Sequence, residues 1–201
     1  MNRLVLATRN KGKIAEIGNR LKFHNISVSS LLDVDFDLDI EETADSFEEN
    51  ALIKAEAVSL ATRLPALADD SGLIVDALGG RPGIHSARYG GAGVSDEQRC
   101  KKLLGELAEV RSSQRTARFK AAIALVLPTG ESHVFQGVLE GTIAFSPAGK
   151  HGFGYDPIFI PAGYERTLAE LGPEIKDQIS HRAKALSGFL EWVERGREGG
   201  F

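Results

Sequence analysis

The sequence predicts an α/β protein built on a mixed β-sheet with flanking helices. A strand, loop and helix unit opens the chain, a β-rich stretch with a Thr129-Gly130 turn occupies residues 117–145, and a further helix closes it. Strand–helix alternation in the first half favours parallel pairing, whereas hairpins in the second imply antiparallel pairing.

The elements follow in order. Leu4 to Ala7 is a short apolar run that reads as the first strand, and Ile14, Ile17 and Leu21 recur at helical spacing within a helix over Asn10 to Phe23. From Asp33 to Ile40 acid alternates with apolar, a period-2 pattern that puts each Asp on one face of an extended segment. Glu41 continues the acid face; Glu42 breaks it, and in an extended segment its carboxylate points to the apolar side. Asp45 or Ser46 caps a helix to about Thr62, with Glu48 and Glu49 in its first turn and Asn50 and Lys54 stacked on one face. Pro65 to Ala68 reads as a buried strand ending at Asp69-Asp70-Ser71-Gly72, Leu73 to Leu78 as another extended run, and Gly79 to Gly93 as loop. Ser95 caps a helix to Val110. Ala117 to Leu127, Glu131 to Leu139 and Thr142 to Phe145 follow as strands, Pro147 to Tyr155 as a loop, and Pro157 to Ile160 as a short strand. A terminal helix from Pro173 to about Arg195 breaks or bends near Ser180-His181-Arg182.

Composition narrows the function classes. With 201 residues and 42% hydrophobic content the chain can form one substantial core without staples. A formal net charge of -4 argues against a broad nucleic-acid grip, which needs a dense field of Lys and Arg, but leaves small anions possible. Cys100 is the only cysteine, which excludes an internal disulfide and a Cys-based zinc site and suits a reducing cytoplasm. The N-terminal apolar run is too short for a signal peptide, and no stretch approaches the roughly 20 apolar residues that cross a bilayer. A cytoplasmic protein without membrane contact is expected.

Four segments can carry chemistry. Thr8-Arg9-Asn10-Lys11-Gly12-Lys13 follows a strand and opens a helix, so backbone N–H groups and three cations form an anion cradle or an ordinary polar helix start. It lacks P-loop spacing. Adjacent acids Asp69 and Asp70 point to opposite sides, one fixing the loop and the other holding a hard cation with Glu42, or else the pair caps a turn. Gly152-Phe153-Gly154-Tyr155-Asp156-Pro157 offers aromatic faces and a carboxylate for a base, or a hydrophobic plug. Ser180-His181-Arg182 with Lys176 supplies donors; as a Ser/His pair it lacks the geometry of a nucleophile, and serine hydrolysis is rejected.

The order of these blocks resembles the inosine triphosphate pyrophosphatases, the noncanonical purine NTP pyrophosphatase family. The resemblance runs over nearly the whole chain, through Leu6 to Lys13, Glu41-Glu42-Thr43, Phe47 to Ala51 with Lys54, Ala68 to Leu73, Pro82 to Tyr89, Gly152 to Phe159 and Ile179 to Arg182. It implies one domain over residues 1–201, an elongated fold with two lobes around a central cleft, and a homodimer. The implied activity is Mg2+-dependent hydrolysis of inosine, deoxyinosine and xanthosine triphosphates to monophosphate and pyrophosphate. By the same resemblance Thr8, Arg9, Asn10, Lys11, Gly12 and Lys13 bind the triphosphate, with Thr8, Asn10 and Lys13 the principal holders. Glu42 and Asp70 are the magnesium carboxylates, Asp70 also takes the proton of the attacking water, and Lys13 and Lys54 act with it in catalysis. Ser71 and Lys54 lie beside the phosphates, while Phe153, Gly154, Tyr155, Asp156, Lys176, His181 and Arg182 form the base pocket. Two other readings compete: a pyrophosphatase for other modified or pyrimidine nucleotides, such as the septum-inhibitor proteins, and a nucleotide sensor that does not hydrolyse. A nucleic-acid-binding module is the weakest.

Overall fold

A computed structural model describes residues 3–34, 40–91 and 93–198. Their six strands form one sheet in the order β2-β1-β3-β4-β5-β6, parallel where β1 meets β2 and β3 and antiparallel where β5 meets β6, so the sheet is mixed as expected. The residues cluster into two compact units, the first of Met1–Asp70, Ala121–Gly137 and Lys184–Phe201, the second of Ser71–Lys120 and Val138–Ala183.

In the first unit, β1 (Arg3–Leu6) pairs on both edges and buries Leu4, Val5 and Leu6 completely, which is why it reads as an unbroken apolar run. Asn10 caps α1 (Lys11–Lys22), its side chain accepting from the Lys13 N–H at 3.1 Å, and Ile17 and Leu21 enter the core. β2 (Ser27–Ser30) is a short serine-rich strand whose pairing with β1 is its only signal; sequence reasoning missed it. The alternating acid segment is not extended at its start. Residues 31–34 form a turn, and Asp33 Oδ2 accepts from the N–H and Oγ of Ser30, both at 2.7 Å, so at Asp33 a local carboxylate turn takes the place of extended chain. Asp35 to Asp39 lie outside the described residues. Ser46, not Asp45, caps α2 (Phe47–Thr62), and Asn50 on this helix bonds Ala44 through both amide ends, pinning the incoming loop.

Asp69-Asp70-Ser71-Gly72 is no turn. It lies inside β3, one strand from Ala66 to Val75, where two separate runs were expected. β1 pairs with β3 at Ala66 and Leu67, β4 flanks its other edge, and the Asp69 carbonyl accepts from Lys13 and Lys54, so long-range bonds hold extended a tetrapeptide whose local preference is to turn. The first core joins Leu4, Leu6, Ile17, Leu21, Leu67, Ile123, Leu125, Leu186 and Phe189.

In the second unit, the Gly-rich stretch contains a 3-10 helix, Gly83–Arg88, and not loop alone. Ser95 and Gln98 form a capping box on α3 (Asp96–Glu106), which ends short of the expected Val110. There the buried Arg115 donates to the carbonyls of Leu107, Ile143 and Ala144 at 2.8–2.9 Å, taking the helix-end carbonyl that another turn would have used. β4 (Thr116–Val126), which belongs to the first unit from Ala121 on, leads through the Thr129-Gly130 turn there to β5 (Ser132–Ile143), one strand where two were expected, whose residues from Val138 belong to the second unit; β6 is Phe159–Pro161. α4 (Leu168–Ile179) starts at a Thr167–Glu170 capping box, ahead of the expected Pro173, because non-helical Gly172 (φ 81°) splits it just before that proline. The expected break near residue 180 is Ser180, with ψ 155°, before α5 (His181–Glu198). A second core joins Leu73, Tyr89, Leu103, Phe119, Leu139, Tyr155, Phe159 and Leu168.

β5 and β6 approach so closely at Gly141 that a Cβ there would sit 2.3 Å from the Ile160 carbonyl oxygen and 2.6 Å from the Phe159 ring. Gly141→Ala is expected to cost about 2–3 kcal/mol by overpacking, read as a lowered urea midpoint at unchanged slope.

Candidate functional site

Two constellations gather the residues that the sequence singles out, one in each unit.

The first surrounds the end of β3 within the first unit. Consecutive strand residues point to opposite sides, and Asp69 and Asp70 each meet a different lysine. Asp69, its side chain fully buried, accepts from Lys13 Nζ at 2.6 Å; Lys13 comes from the first turn of α1. Lys54, from the middle of α2, is held at 2.7 Å by Asp70 Oδ1, at 2.7 Å by Glu42 Oε1 and at 3.0 Å by the Asp69 carbonyl. Burial alone would lower the Lys54 pKa, but Asp70 and Glu42 overrule it and the net shift is upward, so the ammonium is kept. Burial pushes the Asp70 carboxyl up to about 6 against the pull of Lys54 and Lys13, with Glu42 adding to the rise.

Asp70 Oδ2 is buried and accepts no hydrogen bond among the described residues. A buried carboxylate oxygen left in that state costs free energy and calls for a ligand. No group of three or more His, Cys, Asp or Glu side chains that could hold a metal occurs among the described residues. Glu42 and Asp70, which share Lys54 Nζ at 2.7 Å each, are two carboxylates that would suit a magnesium ion, since that ion takes one or two from protein and completes its shell with water and phosphate oxygens.

Thr8 and Asn10 lead into α1: Thr8 Oγ1 accepts from the Asn10 N–H at 3.1 Å, and Asn10 Oδ1 is committed to the helix cap. Arg9, Asn10 and Lys11 are exposed, with Thr8, Gly12 and Lys13 half-buried. Helix-start N–H groups and cations therefore stand together on the first unit.

The second constellation lies in the second unit. Asp156, 2% exposed, accepts from Lys176 Nζ at 2.5 Å and from the Phe153 N–H at 2.8 Å. Lys176 Nζ stands 4.5 Å and Arg182 Cζ 5.7 Å from the Phe153 ring centroid, so two cations face one aromatic surface. Arg182 also donates to Ser71 Oγ at 2.9 Å, which ties Ser71 to this group. His181 stacks on Phe119 with centroids 4.8 Å apart and planes at 11°. Tyr155 is a core residue, its hydroxyl donating to the Ser86 carbonyl at 2.9 Å; only its backbone borders the loop. Gly152 has φ +79°, and a Cβ on it would lie 2.0 Å from Asp156 Oδ2, so glycine is what lets that carboxylate close on the loop.

Thus Lys13, Glu42, Lys54 and Asp70 come together with Asp69, while Phe153, Asp156, Lys176 and Arg182 come together with Ser71. Sequence reasoning passed over the groups that hold the second set. Ser86 accepts from the Leu73 N–H at 2.8 Å as well as supporting Tyr155 through its carbonyl, and Asp96 accepts from the Gly154 N–H at 2.6 Å. Both read as loop or helix-start residues, and nothing local marks a long-range partner.

The Ham1 family model matches residues 4–192. A dITP/XTP pyrophosphatase of Halalkalibacterium halodurans is 49% identical over 194 residues, spanning 96% of this chain and 100% of the relative. One from Symbiobacterium thermophilum is 52% identical over 189 residues, with 94% and 93% covered. Among solved structures, the Ham1 protein of Staphylococcus aureus superposes with a TM-score of 0.86 at 41% identity, over 96% of this chain and 99% of that one.

The two aspartates should respond differently to loss of charge. Asp69→Asn removes the charge of a fully buried partner and is expected to destabilise by about 2 kcal/mol or more. Asp70→Asn removes a carboxylate that burial disfavours and is expected to change stability by under about 1 kcal/mol. Chemical denaturation of the metal-free variants at neutral pH measures both.

Proposed function

The chain belongs to the Ham1 family, and on that premise we propose that it hydrolyses noncanonical purine nucleoside triphosphates, dITP and XTP among them, to the monophosphate and pyrophosphate. It is a nucleoside triphosphate pyrophosphatase, a hydrolase of phosphoanhydride bonds that removes such nucleotides from the pool. Near-complete matches to relatives named for this activity support the substrate class. The observation that carries the chemistry is Lys54, bridging Glu42 and Asp70, beside a buried Asp70 oxygen that has no hydrogen-bond partner among the described residues.

In this reading residues 1–201 form one nucleoside triphosphate pyrophosphatase domain of two lobes. Thr8, Arg9, Asn10, Lys11, Gly12 and Lys13 bind the phosphates through helix-start N–H groups and cations. Glu42 and Asp70 hold Mg2+. When bound, that ion neutralises phosphate charge and makes the phosphorus more open to attack. Lys13 and Lys54 add fixed positive charge near the departing pyrophosphate, and Asp70 Oδ2 accepts the proton of the attacking water. The protein's share is positioning and electrostatics.

Base selection falls to Lys176 and Arg182. Hypoxanthine and xanthine present a 6-keto oxygen that accepts from such donors, whereas adenine presents an amino group and leaves them unpaired. The Phe153 face supplies stacking, with Gly154, Tyr155, Asp156 and His181 framing it. Ser71 joins this group through Arg182. The proposal carries with it a homodimer in the cytoplasm, with the nucleotide as small-molecule partner. No described helix is long and apolar enough to cross a membrane.

Purified protein with magnesium is expected to release pyrophosphate from dITP and XTP and to leave ATP nearly untouched; orthophosphate release or a pyrimidine preference would overturn the reading. Asp70→Asn is expected to lower kcat by about a hundredfold or more, measured as pyrophosphate release at saturating dITP.

A further inference from the structure

Both backbone polar groups of Gly154 are held by a single face of α3. The Gly154 N–H donates to Asp96 Oδ2 at 2.6 Å, and its carbonyl accepts from the Cys100 thiol at 3.4 Å. Asp96 and Cys100 are four residues apart and stand one above the other on the helix. Burial, with the charges of Asp96 and Asp156, pushes the Cys100 thiol up to about 12, so it keeps the proton it donates. Gly154 has φ +62° and Gly152 φ +79°, a left-handed backbone on either side of Phe153 that depends on outside ties to stay in one conformation.

Asp96 is itself held in place. Its Oδ1 pairs with Arg99 Nη2, and Arg99 Nη1 donates to the carbonyls of Ala87 at 2.9 Å and Val94 at 2.6 Å. An acid in the first turn of a helix, three residues before an arginine, has a local explanation in the helix dipole and the ion pair. Neither accounts for the second oxygen, which reaches a loop N–H 58 residues away. Exposed Glu97 enjoys the same dipole in the same turn, and no loop contact accompanies it in the described hydrogen bonds.

Resting on the base-pocket reading above, we propose that Asp96 is a positioning residue for purine selection: through the Gly154 N–H it sets the Phe153 ring against Lys176 and Arg182. Phe153 and Gly154 share a peptide plane, so a shift of the Gly154 N–H turns the Phe153 carbonyl and moves its ring. A bond to a carboxylate is shorter and about twice as strong as a neutral one, and it holds that plane more firmly. The chemistry at the phosphates uses other residues, so the effect falls on which base is accepted and leaves the maximal rate nearly alone.

The test compares Asp96→Ala, Asp96→Asn and the control Glu97→Ala with the wild type, by kcat and KM for dITP and dATP and by amide hydrogen exchange at Gly154. In Asp96→Ala, Gly154 exchange is expected to accelerate and the dITP-over-dATP ratio of kcat/KM to fall about tenfold, the loss of one charge-assisted hydrogen bond. Most of that fall is expected in KM, with kcat for dITP within about threefold. Asp96→Asn, which keeps an acceptor oxygen, is expected to recover most of the selectivity, and Glu97→Ala to match the wild type. Faster exchange at Gly154 with unchanged selectivity overturns the proposal, as does an equal fall in Glu97→Ala. So does a loss confined to kcat. Wild-type protein that does not turn over dITP overturns the function reading itself and this inference with it, whereas a dITP-active wild type with selectivity insensitive to Asp96 overturns this inference alone.

Discussion

The ammonium of Lys54 draws two carboxylates and a strand carbonyl to within 3.0 Å, and the buried charged cluster of the first unit is organised around that contact. It requires β3 to remain extended through two adjacent aspartates, so that Asp69 turns to Lys13 while Asp70 turns to Lys54. It also requires α1 and α2 to deliver their lysines to the same strand. Parallel pairing of β1 with β3 and the caps at Asn10 and Ser46 fix the elements that do so. Left in water, two neighbouring aspartates would resist burial. Here each carboxylate is offset by a cation, and Asp70 Oδ2 accepts no hydrogen bond among the described residues.

The second unit solves a similar problem with different means. Asp156, Lys176, His181 and Arg182 are all buried: Asp156 accepts from Lys176 and from the 153 N–H, Arg182 donates to Ser71, and the His181 ring stacks on Phe119. Glycine at 152 leaves room for the Asp156 carboxylate, and the loop is tied from outside by α3. The aromatic core of Phe119, Tyr155 and Phe159 supports it from below, so the loop is shaped by packing and buried hydrogen bonds more than by its own sequence.

Much of the candidate site was legible because its residues carry local signals. Helix-start cations at Lys11 and Lys13, the paired acids at 69 and 70, and an aromatic between two glycines each name a chemistry. Their supporting partners were not legible. Asp96 looks like an ordinary first-turn acid and Ser86 like a loop serine, since the atoms they meet are 58 and 69 residues away. Tyr155 shows where local signal stops: its loop position allowed a base-facing ring or a hydrophobic plug, and packing takes the ring into the core.

The sequence by itself determined the α/β class, helices α1 to α3 with caps at residues 45 or 46 and at Ser95, and the identity of the charged residues, because apolar periodicity and capping are read within one or two turns of chain. Tertiary structure decided the rest. Long-range bonds kept Asp69-Asp70-Ser71-Gly72 extended against its turn preference, while strand pairing gave serine-rich β2 its place beside β1 and two expected strands proved to be one, β5. Arg115 meets the end of α3 by taking the carbonyl of its cap residue Leu107. Local preference is worth a few tenths of a kcal/mol to about one per residue, and a paired, buried backbone outweighs it wherever the two disagree.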